Sequence, residues 1–175
     1  MKRHVLITGE IGAGKSTALL RTLALLGDIR AQGVQTYYME TRGEETKTLY
    51  LRAWGSEEQG AYLTQIPGGG PGDASPVFDA QGTALLDAAR KTAQVIVIDE
   101  CGRLERDAHA YHEALRRCVE GDVPVLCAIR KHKAPWADWL RTHPAVTLLE
   151  ADVQNRDDIP QQAAALVRSA MKTEA

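Results

Sequence analysis

Gly9-Glu10-Ile11-Gly12-Ala13-Gly14-Lys15-Ser16, preceded by His4-Val5-Leu6-Ile7-Thr8, is the stretch on which the reading of the whole chain turns. The apolar run reads as a strand, the glycines as a tight turn, and Leu19, Leu20, Leu23 and Leu26 as one face of the helix that follows. The spacing G-x-x-x-x-G-K-[ST] in that context is a phosphate cradle. Glycine allows the close backbone approach that lets N–H groups point inward, and the helix start adds unpaired N–H groups and a positive dipole end. Lys15 supplies a mobile charge for the outer phosphates, and the Ser16 hydroxyl suits Mg²⁺. The expected nucleotide-contacting set is Gly9, Glu10, Ile11, Gly12, Ala13, Gly14, Lys15, Ser16 and Thr17. At ordinary residue frequencies this pattern arises by accident in well under about one such chain in a hundred.

The rest of the composition bounds the partners. A length of 175 residues predicts a single domain, 1–175, large enough for a real core. A net charge of −2 gives no global case for nucleic acid or an anionic membrane, and no apolar run reaches the length of a membrane span. Met1-Lys2-Arg3-His4 leads directly into the first strand, which argues against a signal peptide. Three cysteines without a C-x-x-C pair predict neither a disulfide framework nor a zinc ribbon, so a cytoplasmic setting is expected.

Beyond the first helix, residues 33–39 and 47–54 are rich in β-branched and aromatic side chains and predict a hairpin around the polar turn 41–45, with a third short strand at 61–66. The Gly- and Pro-rich residues 67–72 predict a loop. Then the pattern alternates: a helix carrying Leu85, Leu86 and Ala89, a strand at 95–98, a helix at 108–120, a strand at 123–129, a short helix at 135–141, a strand at 146–149 and a last helix opening near Pro160. Apolar strands alternating with amphipathic helices predict an α/β P-loop NTPase fold, a three-layer sandwich with a mainly parallel sheet and a β-hairpin insertion.

Val95-Ile96-Val97-Ile98 runs into Asp99-Glu100. An acid at the carboxyl end of a parallel strand shares the sheet edge of the phosphate loop, so Asp99 is expected to hold the metal with Ser16. Glu100 is expected to polarise the attacking water. Phosphoryl transfer also needs an extra cation near the transferred group; Arg103, Arg130 and Arg42 are the candidates. Arg130-Lys131-His132-Lys133 reads as a solvated basic loop or as a phosphate contact. His109-Ala110-Tyr111-His112-Glu113 fits no zinc-peptidase spacing and reads as a surface helix, while Trp136 and Trp139 read as packing.

With the loop, the acidic run Asp99-Glu100-Cys101-Gly102-Arg103-Leu104-Glu105 and the late triplet Asn155-Arg156-Asp157 in place, the chain resembles the THEP-type family of P-loop nucleoside-triphosphatases over most of its length. The resemblance implies a RecA-like core and Mg²⁺-dependent hydrolysis of ATP, GTP and other nucleoside triphosphates. It implies Glu100 as the base and Lys15 and Arg103 as catalytic cations, with Arg103 standing where the family pattern has lysine. The residues themselves leave room for a small-molecule or nucleotide kinase, or for a nucleotide-gated accessory protein acting on an unidentified protein partner. A GTP-specific switch is disfavoured, because Asn155-Arg156-Asp157-Asp158 lacks the lysine of an N-K-x-D base reader.

Overall fold

Every residue of His4–Thr8 and of Val125–Ile129 is buried, the mark of strands covered on both faces. The computed structural model describes residues 1–40, 42–66, 74–132 and 134–173, and of Glu100 the backbone alone. In chain order the elements are β1 (His4–Thr8), α1 (Lys15–Leu26), β2 (Ala31–Glu40), β3 (Lys47–Ala53), β4 (Ala61–Ile66) and α2 (Ser75–Val77), the last running through a π-type turn at Phe78–Gly82 into α3 (Thr83–Thr92). There follow β5 (Val95–Cys101), α4 (His109–Glu120), β6 (Val125–Ile129), a 3₁₀ turn at Pro135–Ala137, α5 (Asp138–Thr142), β7 (Val146–Glu150) and α6 (Ile159–Lys172). The glycine- and proline-rich stretch at 67–72 lies outside the described residues. None of the described helices is long and apolar enough to cross a membrane.

The seven strands form one sheet in the order β4-β3-β2-β5-β6-β1-β7. Pairs β2–β5, β5–β6, β6–β1 and β1–β7 are parallel, while β2–β3 and β3–β4 are antiparallel. The sheet is therefore mixed, which corrects the expectation of a mainly parallel one. The cause is the hairpin: β2 is a full member of the parallel set, so β3 and β4 extend the same sheet at its edge.

Two apolar clusters sandwich the sheet. One, built on Val5, Ile7, Val95, Val97, Leu126 and Ala128, meets Ala18 and Leu19 of α1 and Ala163 and Val167 of α6. The other, built on Leu6, Ile96, Ile98 and Cys127, meets Leu86 of α3 and Tyr111, Ala114 and Leu115 of α4. Alternation along each strand divides the side chains between the two layers. In α1 the inward face is Ala18, Leu19 and Thr22, flanked by Leu23 and Leu26. Leu20 is 58% exposed, against the expectation that it joins that face, because one residue past Leu19 is a rotation of about 100° on a helix.

His4 fixes the first strand against its neighbours. It is 1% exposed; its Nδ1 accepts the Val125 N–H at 3.1 Å, so Nε2 carries the proton and donates to the Val119 carbonyl at 2.8 Å. Burial lowers its pKa from 6.5 to about 4, outweighing the opposing pull of the Val119 bond. Above pH 6.5 the ring is neutral folded and unfolded, and the native contacts contribute fully. As pH falls from 6.5 toward about 4, the unfolded chain takes up a proton that the folded chain refuses, so stability declines by up to about 3 kcal/mol. Urea unfolding of wild type and His4→Gln at both ends of this window checks it: the expected result is a shallower acid decline in the variant, and parallel declines rule out His4 as the cause.

Candidate active site

The chain leaves β1 at the buried Thr8 and turns at once. A Cβ on Gly9 would lie 2.5 Å from the Ala151 carbonyl oxygen and 2.9 Å from the Ala13 Cβ, so glycine is a steric requirement there. The turn closes with the Ala13 N–H donating to the Glu10 carbonyl at 3.0 Å. Gly14, at φ +91°, carries the chain through the left-handed region into α1. The Lys15 ammonium folds back on this arc, donating to the carbonyls of Gly9 at 3.0 Å and Glu10 at 3.3 Å.

Over the helix start opens a cavity of about 320 Å³. Ile11, Gly12, Gly14, Lys15, Ser16 and Thr17 form one wall, with Ile11 87% exposed at the rim. Asp99 and Arg130, from the ends of β5 and β6, form the other. Ala13 instead is buried beneath the loop. Strand order explains the gathering: β1, β6 and β5 are consecutive and parallel, so their carboxyl ends share one edge, where ligands of α/β sheets collect.

Between Ile98, paired with Cys127, and Cys101, paired with Ile129, β5 carries one residue more than β6. The extra residue is a β-bulge at 99–100, a device that re-aims side chains beside active sites. The Arg130 N–H donates to the Cys101 carbonyl at 3.0 Å and closes the ladder beyond it.

The three candidate arginines separate. Arg130 lines the phosphate-loop cavity; Arg103 lines an adjoining pocket of about 70 Å³ with Thr36, Glu105 and, again, Arg130. Arg42 sits on the exposed β2–β3 turn.

Over residues 4–164 the chain matches the protein family described as NTPase. The chain belongs to that family. Among similar NTPases, nucleoside-triphosphatase THEP1 of Thermofilum pendens is 27% identical over 95% of this chain and 96% of its own, and THEP1 of Natranaerobius thermophilus 25% identical over 92% and 94%. The crystal structure of THEP1 from the hyperthermophile Aquifex aeolicus superposes with a TM-score of 0.71 at 26% identity, covering 95% of this chain and 99% of that one. The solution structure of a human cancer-related nucleoside triphosphatase shares the fold, with a TM-score of 0.68 at 18% identity over 95% and 98% of the two chains.

Further side chains brace the site of this NTPase, and the first of them, Arg141, was not singled out by the sequence. Arg141, on α5, donates from Nη1 to the Thr8 hydroxyl at 3.3 Å and from Nη2 to the Arg130 carbonyl, with Nε 3.4 Å from Asp138. It thus ties the end of β1 to the end of β6, and no sequence pattern marks it, since its partners lie 133 and 11 positions away. In the basic loop after β6, beyond Arg130 in the cavity wall, Lys131 pairs with Glu150 at 2.6 Å and Glu10 at 3.5 Å, and His132 reaches Glu10 at 3.3 Å. The His132 hydrogen bond, helped by Lys131, holds the Glu10 carboxyl below its ordinary pKa, and the Glu150 bond holds Lys131 above its own. Lys133 lies outside the described residues.

The late triplet builds the opposite flank. The Asp152 carboxylate accepts the N–H groups of Gln154 at 2.8 Å and Asn155 at 2.9 Å, Asn155 returns bonds to the Asp152 N–H and the Glu150 carbonyl, both at 2.8 Å, and Asp157 pairs with Arg21 of α1 at 2.9 Å. This knot holds Ala151 under Gly9 and sets Arg156 beside Gly14.

Proposed function

We propose that this chain is a single P-loop domain, residues 1–175, that hydrolyses ATP, and also GTP and other nucleoside triphosphates, to the diphosphate and inorganic phosphate. The observation that carries the reading is the shared cavity of Gly12, Gly14, Lys15, Ser16, Thr17, Asp99 and Arg130. A core of the RecA-like kind is supported by the strand order, in which β6 lies between the loop-bearing β1 and the acid-bearing β5. The names of the similar THEP1 proteins support triphosphate hydrolysis.

The donor set suits Mg²⁺: a hydroxyl and a carboxylate, Ser16 and Asp99, face one cavity, and this ion takes few protein oxygens and completes its shell with water and substrate phosphates. Bound there, it would neutralise charge on the β- and γ-phosphate oxygens. The loop N–H groups and the α1 start hold the phosphate chain, and Lys15 turns from the Gly9 and Glu10 carbonyls to the outer phosphates. Glu100 accepts a proton from water as the water oxygen bonds to the γ-phosphorus. The bond from that phosphorus to the β–γ bridging oxygen breaks, leaving its electron pair on the diphosphate. Arg130, in the cavity wall, and Arg103, in the pocket behind it, supply the positive charge that stabilises the transferring group.

Because catalysis of this kind is positioning plus charge neutralisation, unassisted turnover is expected to be slow, on the order of 10⁻⁴ to 10⁻² per second. Phosphate release from ATP, GTP, CTP and UTP, with Mg²⁺ and with chelator, tests it. Release from several of them only with Mg²⁺ is the expected result; tight binding without release points to a kinase lacking its acceptor or a switch lacking its partner.

A further inference from the structure

A closed circuit of contacts lies just past the acidic bulge. The Glu105 carboxylate, in a side chain 3% exposed, accepts the Gly102 N–H at 2.6 Å. The Trp136 indole N–H, from the 3₁₀ turn after β6, donates to the Gly102 carbonyl at 2.8 Å. His112 of α4 lies flat on Trp136, with 4.0 Å between ring centroids and 6° between planes, and its Nε2 donates to the Glu105 carbonyl at 2.6 Å. Both backbone groups of one glycine are thus held by side chains from two separate segments, and a third element props the two holders.

The position of that glycine gives the circuit its meaning. A bulge leaves one residue unpaired and disrupts the ladder locally, so strand pairing alone fixes the backbone beyond it poorly. Glycine in the next turn adds the widest backbone freedom of any residue. Without restraint, Gly102 would act as a hinge between the bulge at 99–100 and Arg103, the residues assigned to metal, water and charge. A displacement of about 1 Å at such groups costs on the order of a hundredfold in rate.

We propose that Glu105 and Trp136 are positioning residues for triphosphate hydrolysis, clamping Gly102 so that the acidic bulge and Arg103 keep their places at the phosphate cavity. The inference rests on the hydrolase reading above. The clamp's bonds converge on the turn after β5 rather than on the phosphate-loop backbone, so at saturating Mg²⁺ it acts on turnover far more than on nucleotide affinity. Trp136→Phe keeps a flat ring for His112 and removes the N–H. Glu105→Ala removes the acceptor, whereas Glu105→Gln retains an oxygen for the Gly102 N–H.

The test measures kcat for phosphate release and, separately, the Kd of a non-hydrolysable ATP analogue, in wild type and these three variants, with unfolding midpoints for all. Expected are losses in kcat of about tenfold or more in Trp136→Phe and Glu105→Ala, Kd values within about twofold of wild type, and recovery of most of the rate in Glu105→Gln. If losses merely follow the folded fraction, if Kd weakens as much as kcat falls, or if all variants turn over like wild type, the clamp is overturned while the hydrolase reading stands. A wild type that binds the analogue and releases no phosphate overturns both.

Discussion

Lys15→Ala is expected to abolish useful triphosphate binding while leaving the fold in place. The ammonium is the one mobile cation of the loop itself, and each charge-assisted bond it makes to phosphate is worth about 1.5–2 kcal/mol or more. Loss of two such bonds weakens binding on the order of a hundredfold to a thousandfold. The cost to the unbound chain is of a different size. There Lys15 donates to the carbonyls of the buried Gly9 and the exposed Glu10 at 3.0 and 3.3 Å, and losing these bonds costs the fold about 1 kcal/mol each. Calorimetric titration with an ATP analogue, alongside urea unfolding, separates the two. Affinity within about twofold of wild type would refute the phosphate-loop assignment, and a collapse of stability would mean that Lys15 holds the loop together.

The strand, turn and helix around the octapeptide were legible because their pattern is local. A phosphate cradle needs glycines, a lysine and a hydroxyl at fixed offsets along one turn, and the steric reason at Gly9, the carbonyl of Ala151, comes from a loop that the alternating pattern already placed on the same edge. The apolar part of β5 was legible for a similar reason, as an unbroken run from Val95 to Ile98, but the strand itself continues past the two acids to Cys101. Strand order was not, because the sequence of an apolar strand does not say which strand lies beside it. The β2–β3 hairpin was visible, yet its fusion into the main sheet through β2 and β5 was not, and the expectation of a mainly parallel sheet failed on that point. Arg141 was invisible because its partners are a hydroxyl and a backbone carbonyl that only the folded chain brings near it.

His112 and Trp136 show a subtler gap. Read along the chain, one belonged to an unremarkable surface helix and the other to packing, and each description is true of part of the side chain. What periodicity could not show is that the two rings stack and that the bonds from this pair converge on the turn after β5. Packing patterns report apolar area; hydrogen-bond donors at ring edges are directed to atoms the pattern does not contain.

Glu100→Gln is expected to keep nucleotide affinity within about threefold and to lower turnover by about a hundredfold to ten-thousandfold, the span typical of a general base. The change removes the proton acceptor with almost no change of side-chain volume. Asp99→Asn provides the contrast. Asp99 lines the phosphate-loop cavity, so its neutralisation is expected to raise the Mg²⁺ concentration needed for half-maximal binding of the analogue, an effect that excess metal partly reverses. The two neighbouring acids, one residue apart on a bulge, would then separate cleanly: added metal rescues one and does nothing for the other. Single-turnover phosphate release measured against Mg²⁺ concentration decides it. If Glu100→Gln retains more than about a tenth of the wild-type rate, the proton goes elsewhere. The assignment of Glu100 as base then falls, even with the phosphate loop intact.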